Sequence, residues 1–418
     1  MSNVYFSGIG GVGIGPLAQI TRDAGYDVQG SDVKETLMTK ELREQGIAVH
    51  IGQDGGALQA AHDVEPIDWF IYTAALPADH PELVLAQKLG IRTAKRDELL
   101  AHIIKEKGLK LIAVAGTSGK TTTTSMLVWA FIQQGIPVSY SIGTTISFGP
   151  SGKFDPKSEF FIYECDEFDR NFLHFSPYLA LVTSIHYDHQ DIYPTPADYM
   201  GAFRQFIRQS DTTLLWQRDN EKIEAKGDTL ITLEDSEILP VSVGGLHNKR
   251  NATLVVRAME QLKLAEPRSI VESLGRFPGS DRRFEKLADN LYTDYAVIPP
   301  EIAATLQRAH ETTDHIVAVY QPHQNIRQYE ARRMYTDCFN LAEKVYWLPT
   351  FLVREDPSLA VLTPQELTQN LENKNVEFAD LDDALWSELE QERQAGKLVL
   401  VMGAGTIDKW ARDKAARL

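Results

Sequence analysis

The chain has 418 residues, 43% of them apolar and 24% charged, the composition of a soluble globular protein with more than one core. Its 58 acidic and 42 basic residues leave a net charge of −16, which excludes nucleic acid as the main partner, because phosphate backbones demand a clustered basic surface. Two cysteines, Cys165 and Cys338, exclude a disulfide framework and a zinc-type cluster and fit a cytoplasmic protein, and no apolar run nears the roughly 20 residues of a membrane helix.

Short β-branched or apolar runs alternate with longer amphipathic stretches along the chain, the pattern of parallel sheets covered by helices. The first run, residues 4–6, reads as the opening strand of a folded domain rather than as a signal peptide. It enters Gly8-Ile9-Gly10-Gly11-Val12-Gly13, which satisfies Gly-x-Gly-x-x-Gly. A second strand, residues 27–29, leads to Gly30-Ser31-Asp32, with Asp32 near the place where dinucleotide folds put a ribose acid. This loop would accept any diphosphate, that of a nucleotide sugar included. A charged stretch with one glycine, residues 103–110, marks the first candidate boundary.

The next apolar strand, residues 111–115, runs into Gly116-Thr117-Ser118-Gly119-Lys120-Thr121-Thr122, and an apolar-periodic stretch follows. Strand, glycine loop and helix aim backbone N–H groups and a helix N-terminus at a phosphate. Lys120 can reach β- and γ-phosphates and Thr121 can ligate Mg²⁺, although Val114 stands where the general P-loop has its first glycine. Glu164-Cys165-Asp166-Glu167 closes another apolar strand, and carboxylates at a strand end beside a P-loop are well placed for Mg²⁺. A strand over 179–185 ends in His186-Tyr187-Asp188-His189-Gln190-Asp191, a metal site or a hydrogen-bonded turn. His247-Asn248-Lys249-Arg250-Asn251 opens a helix expected over 252–262, and its polar groups either hold a nucleoside or cap the helix. The Pro-Gly turn near 276–281 marks the second boundary, so the expected domains are 1–106, 107–278 and 279–418.

In order and spacing these motifs resemble the Mur ligase family, which builds the peptide stem of bacterial cell-wall precursors. The resemblance implies an α/β protein of three domains: an N-terminal Rossmann-like domain, a central P-loop ATPase-like domain and a C-terminal Rossmann-like domain. It implies an ATP- and Mg²⁺-dependent ligase acting on UDP-N-acetylmuramate and a small amino acid such as L-alanine, in a monomer or weak homodimer. A family branch that attaches a recycled murein tripeptide is the alternative, and a degenerate nucleotide-binding protein is another. Gly8, Gly10, Gly11, Gly13, Ser31 and Asp32 match the family's uridine-diphosphate site, and Thr73-Ala74-Ala75-Leu76 with Asp79 to Glu82 its next substrate loop. Residues 115–124 match the ATP loop, where Ser118 replaces the usual His or Asn. Thr121, Glu164 and His189 would hold Mg²⁺, and His247, Asn248 and Asn251 the nucleoside. Arg283 near the hinge would meet the phosphates, and Asp294 the ribose or phosphate side.

Departures fall at the expected amino-acid end. Asp294-Tyr295-Ala296-Val297-Ile298-Pro299 stands for the family's Asp-Tyr-Gly-His-His-Pro, and Gln324 for the first arginine of Gln-Pro-His-Arg-Tyr-x-Arg. Tyr295, His323 and Arg327 then remain for the acceptor, with Arg327 the matched cation for its carboxylate.

Overall fold

Three buried apolar strand runs seed three separate sheets. The computed structural model describes residues 2–11, 13–73 and 76–418; Met1, Val12, Ala74 and Ala75 lie outside the described residues, the last two within the expected substrate loop. The first sheet has strand order β3-β2-β1-β4-β5, with β1 Asn3–Ser7, β2 Asp27–Asp32, β3 Ala48–Ile51, β4 Trp69–Tyr72 and β5 Arg92–Lys95. All four pairings are parallel. β2 is longer than expected: Gly30, Ser31 and Asp32 continue the ladder opposite Val49, His50 and Ile51.

The second sheet runs β12-β11-β10-β6-β9-β7-β8. It comprises β6 Lys110–Ala115, β7 Ser139–Ser141, β8 Gly152–Lys153, β9 Phe160–Glu164, β10 Leu179–Val182, β11 Thr213–Trp216 and β12 Leu230–Leu233. The third runs β13-β14-β18-β15-β16-β17, from β13 Glu285–Ala288, β14 Leu291–Asp294, β15 Ile316–Tyr320, β16 Lys344–Trp347, β17 Val376–Phe378 and β18 Leu398–Met402. Among the described strands, only the edge pairs β7–β8 and β13–β14 are antiparallel. Strands such as Leu398–Met402 and Ile316–Tyr320 are buried throughout because helices cover both faces, so they read as unbroken apolar runs rather than alternations.

Two reversals of strand order position the chemistry. In the first sheet β1 lies between β2 and β4, and in the second β6 lies between β10 and β9. A parallel sheet leaves a crevice at its strand C-terminal ends where the order reverses, and the two glycine loops emerge there. The helix expected over 252–262 begins earlier, at Leu246, and runs to Gln261. Its first amides find acceptors in another part of the chain: Gly245 N–H donates to Glu311 (2.8 Å) and Leu246 N–H to Gln307 (3.0 Å). Neither Asn248 nor Asn251 caps it, and no side chain of its N-cap, Gly245, could.

Candidate active site

Gly119 adopts φ +87°, a left-handed conformation that glycine takes without steric cost, and so turns the chain into the helix Lys120–Gln133. No side chain caps that helix, so its first N–H groups are available to an anion. Lys120 folds back over its own loop: Nζ donates to the Gly116 carbonyl (2.7 Å) and to Glu167 (2.7 Å), with Asp166 at 3.7 Å. Burial works against the ammonium, but Glu167 and Asp166 outweigh it and raise its pKa. Thr117 is tied to the chain after β10, donating to the His186 carbonyl (2.8 Å).

Acids ring this loop. Thr121 Oγ1 donates to Glu164 (2.6 Å), whose other oxygen accepts the Gly143 N–H (2.8 Å). Glu167 has no exposed surface and lies 3.4 Å from His189 Nε2. Burial disfavours a charged His189, yet the Glu167 hydrogen bond and the Asp188 charge raise its pKa overall. Asp166, Glu167 and His189 bring three ligand atoms within 4.8 Å of one another. Sequence reading singled out Glu164 and His189; the fold pairs Glu164 with Thr121 and sets Asp166 and Glu167 beside His189. These hard oxygen donors with one imidazole fit Mg²⁺.

Two cavities meet at the loop. The smaller, about 560 Å³, is lined by Ser118, Gly119 and Thr122 on one side and by His247, Asn248 and Asn251 on the other. His247 Nδ1 is buried without a hydrogen-bond partner, and burial with the nearby Arg308 charge pushes its pKa down to about 4. A neutral ring with an orphaned polar atom suits an uncharged base or ribose. Asp294 lines the same cavity, but its carboxylate already accepts the Phe284 N–H (2.8 Å) and the Ala296 N–H (2.8 Å). Burial raises its pKa.

The larger cavity, about 970 Å³, reaches from Gly11 and Gly13 past Lys120 and His189 to Tyr295, His323 and Arg327. It shares Ser118, Gly119, Arg283 and Glu301 with its neighbour. Arg283 Nη2 donates to Thr121 Oγ1 (3.3 Å), which brings this arginine to the 116–122 loop. The first glycine loop divides. Gly11 and Gly13 face the cavity, with Arg96 beside them, whereas Asp32 accepts the Gly10 N–H (2.8 Å) and fastens the loop from beneath. Ser31, expected at the diphosphate, is fully buried instead and donates to Glu82 (2.8 Å). Glu82 is itself sealed in the core, where Tyr5 (3.0 Å) and Ser7 (2.6 Å) also donate to it.

The third sheet closes on the second through side chains that sequence reading did not connect. Asp188 accepts two hydrogen bonds from Arg327, Nε at 3.0 Å and Nη2 at 3.2 Å. Burial opposes the Asp188 carboxylate, but Arg327 holds its pKa below the usual range. Ser118 Oγ donates to Glu301 (2.7 Å), whose other oxygen accepts the Val297 N–H (2.9 Å). Glu301 had no local signal, since it is one acid in the first turn of a helix that opens with two prolines, Pro299–His310.

A family model described as Mur ligase family, catalytic domain, matches residues 3–107, and one described as Mur ligase middle domain matches residues 114–253. The UDP-N-acetylmuramate–L-alanine ligase of Carboxydothermus hydrogenoformans is 33% identical, covering 98% of this chain and 95% of its own length. That of a Nocardioides species is 32% identical over 97% of this chain and 94% of its own. Among solved structures, the UDP-N-acetylmuramate–alanine ligase of Thermotoga maritima superposes with a TM-score of 0.75 at 25% identity, covering 100% of this chain and 99% of that one. A murein peptide ligase from Psychrobacter arcticus shares the fold, with a TM-score of 0.66 at 22% identity over 99% of this chain and 98% of that one. Three parallel-rich sheets around a Lys120 phosphate loop, matched nearly end to end by these relatives, make this chain a member of the Mur ligase family.

Proposed function

We propose that this protein uses ATP to join L-alanine, or a similarly small L-amino acid, to the carboxylate of UDP-N-acetylmuramate. The observation that carries the reading is the larger cavity, a continuous space from Gly11 and Gly13 through Lys120 to Arg327, opening beside a second cavity at His247 and Asn251. The uridine diphosphate occupies the first glycine loop and the adenosine the His247 cavity. The triphosphate lies along 116–122, and the amino acid enters beside Tyr295, His323 and Arg327.

The sugar carboxylate oxygen attacks the γ-phosphorus. The bond from that phosphorus to the β–γ bridging oxygen breaks, and ADP leaves. The amino acid's neutral amine then attacks the acyl phosphate carbonyl carbon. Inorganic phosphate departs with the bond's electrons and takes up the proton that the nitrogen loses. The first step brings anions together, and each pair of like unit charges at 4 Å repels by about 4 kcal/mol at an effective dielectric near 20. Lys120 in the loop and Arg283, which reaches Thr121, offset this repulsion. Mg²⁺, held at the Asp166, Glu167 and His189 cluster with the Thr121–Glu164 pair nearby, would neutralise further phosphate charge. The Ser118–Glu301 and Asp188–Arg327 contacts draw the third sheet over the loop, which shields the acyl phosphate from water.

Phosphate release from ATP tests the proposal. Release should require UDP-N-acetylmuramate and be stimulated most by L-alanine across a panel of amino acids and murein peptides. Strong preference for a tripeptide or an acidic amino acid would replace this acceptor.

A further inference from the structure

We infer that Arg354, on the loop between β16 and β17, receives the carboxylate of the incoming amino acid. The inference rests on the ligase reading above and names a residue that reading does not use. An amino acid brings a carboxylate into a partly dry cavity, where an unpaired anion is costly and a guanidinium is its best partner. The motif cation, Arg327, is already engaged: Asp188 takes two of its nitrogens and His323 Nδ1 faces the third at 3.1 Å. The other motif position holds an uncharged Gln324.

Gln324 has a different task here. Its backbone N–H donates to the Phe351 carbonyl (2.9 Å) and its side-chain amide to the Val353 carbonyl (3.4 Å), while Phe351 N–H returns to the Pro322 carbonyl (2.8 Å). Glu355 completes the fastening by accepting the N–H groups of Val353 (2.9 Å) and Asn325 (3.0 Å). The residue that replaces one arginine therefore anchors the loop that supplies another. Arg354 sits at φ +52°, a conformation that is unfavourable for a non-glycine residue and persists where its surroundings impose it.

The side chain of Arg354 lines the larger cavity together with Lys120, His189 and Arg327. Among the described residues it meets no carboxylate; its guanidinium carbon lies 4.8 Å above the Phe168 ring. The same ring packs edge-on against His189, 5.2 Å between centroids, so Phe168 seats Arg354 beside the reacting end. Both cations act on His323, whose pKa burial, Arg327 and Arg354 together push down to about 4. A guanidinium resting on an aromatic face keeps its full charge and its donor fork, ready for a carboxylate.

The test is steady-state phosphate release with L-alanine and with its uncharged amide, L-alaninamide, for the wild type, Arg354→Ala and Arg354→Lys. Arg354→Ala should raise KM for L-alanine about 10- to 100-fold, with KM for ATP unchanged. The preference for L-alanine over the amide should shrink by a similar factor, and Arg354→Lys should restore part of it. Stimulation of the wild type by L-alanine with an unmoved preference in Arg354→Ala would overturn the inference alone. A wild-type protein that no amino acid stimulates would overturn the ligase reading and the inference with it.

Discussion

The two glycine loops share a geometry and differ in their charges. Each follows a buried parallel strand at a reversal of strand order, after β1 and after β6. The 8–13 loop contains no cation of its own; Asp32 clasps its backbone, and Arg96 reaches the cavity beside it from the segment after β5. The 116–122 loop carries Lys120 and is ringed by Glu164, Asp166, Glu167 and His189. A strand–loop–helix turn aims a helix N-terminus at the cavity in both places, but in the first the N–H groups of Gly8, Ile9, Gly10 and Gly11 are already taken by Ser31, Asp32 and the Gly8 carbonyl. Only the second adds a lysine ammonium, held by Gly116 and Glu167, and a hard-donor cluster, the groups that phosphoryl transfer needs.

Removing the lysine tests this contrast most severely. Lys120→Ala should lower turnover about 10²- to 10³-fold, the effect of losing one electrostatic donor worth about 3–4 kcal/mol. Phosphate-release kinetics would show it, and normal turnover would erase the distinction between the loops.

The His247 cavity beside the second loop has a pH signature. His247 is pushed down to about 4, below its ordinary value of 6.5, so the unfolded chain takes up the proton first. Stability present above the unfolded pKa is therefore lost as the pH falls from there towards 4. His247→Gln should abolish a loss on the order of 2 kcal/mol, read as a smaller difference between urea midpoints at about pH 7 and pH 4.5. An equal difference in both proteins would mean that the ring is protonated in the fold.

Gly10→Val addresses the first loop alone. A β-carbon there would lie 2.7 Å from Thr36 Oγ1 and 2.9 Å from Asp32 Oδ2, so those side chains or the loop they fasten must shift. UDP-sugar affinity should drop about 10-fold, in line with an overpacking cost of about 1–3 kcal/mol, with ATP affinity unchanged by calorimetry. Loss of both affinities together would show that the loops act as one site.

The smallest effect belongs to the contact between the second loop and the third sheet. Ser118→Ala removes one hydrogen bond to Glu301, worth about 0.5–1.5 kcal/mol. It should lower kcat by about 3- to 10-fold, and an unchanged kcat would detach Glu301 from closure.

Much of this was present in the chain itself. Continuous apolar runs such as 111–115 and 398–402, each followed by glycine, specify parallel strands and the turns that end them, because periodicity and the conformational freedom of glycine are local properties. Lys120, Thr121 and the acids after β9 were legible for the same reason: their spacing along one loop or strand end sets their placement. Tertiary structure alone decided which acid meets which cation. Arg327 and Asp188 are 139 residues apart in the chain, Ser118 and Glu301 183, and no local pattern couples them. The helix at Leu246 starts early because Glu311 and Gln307, far along the chain, accept its first amides. Ser31 turned inward because β2 runs through Asp32 and places its hydroxyl over Glu82, an alternation set by sheet register. Tertiary structure also placed Arg354, because Gln324 and Phe168 bracket its loop and an exposed arginine carries no signal until its surroundings show which charge it lacks.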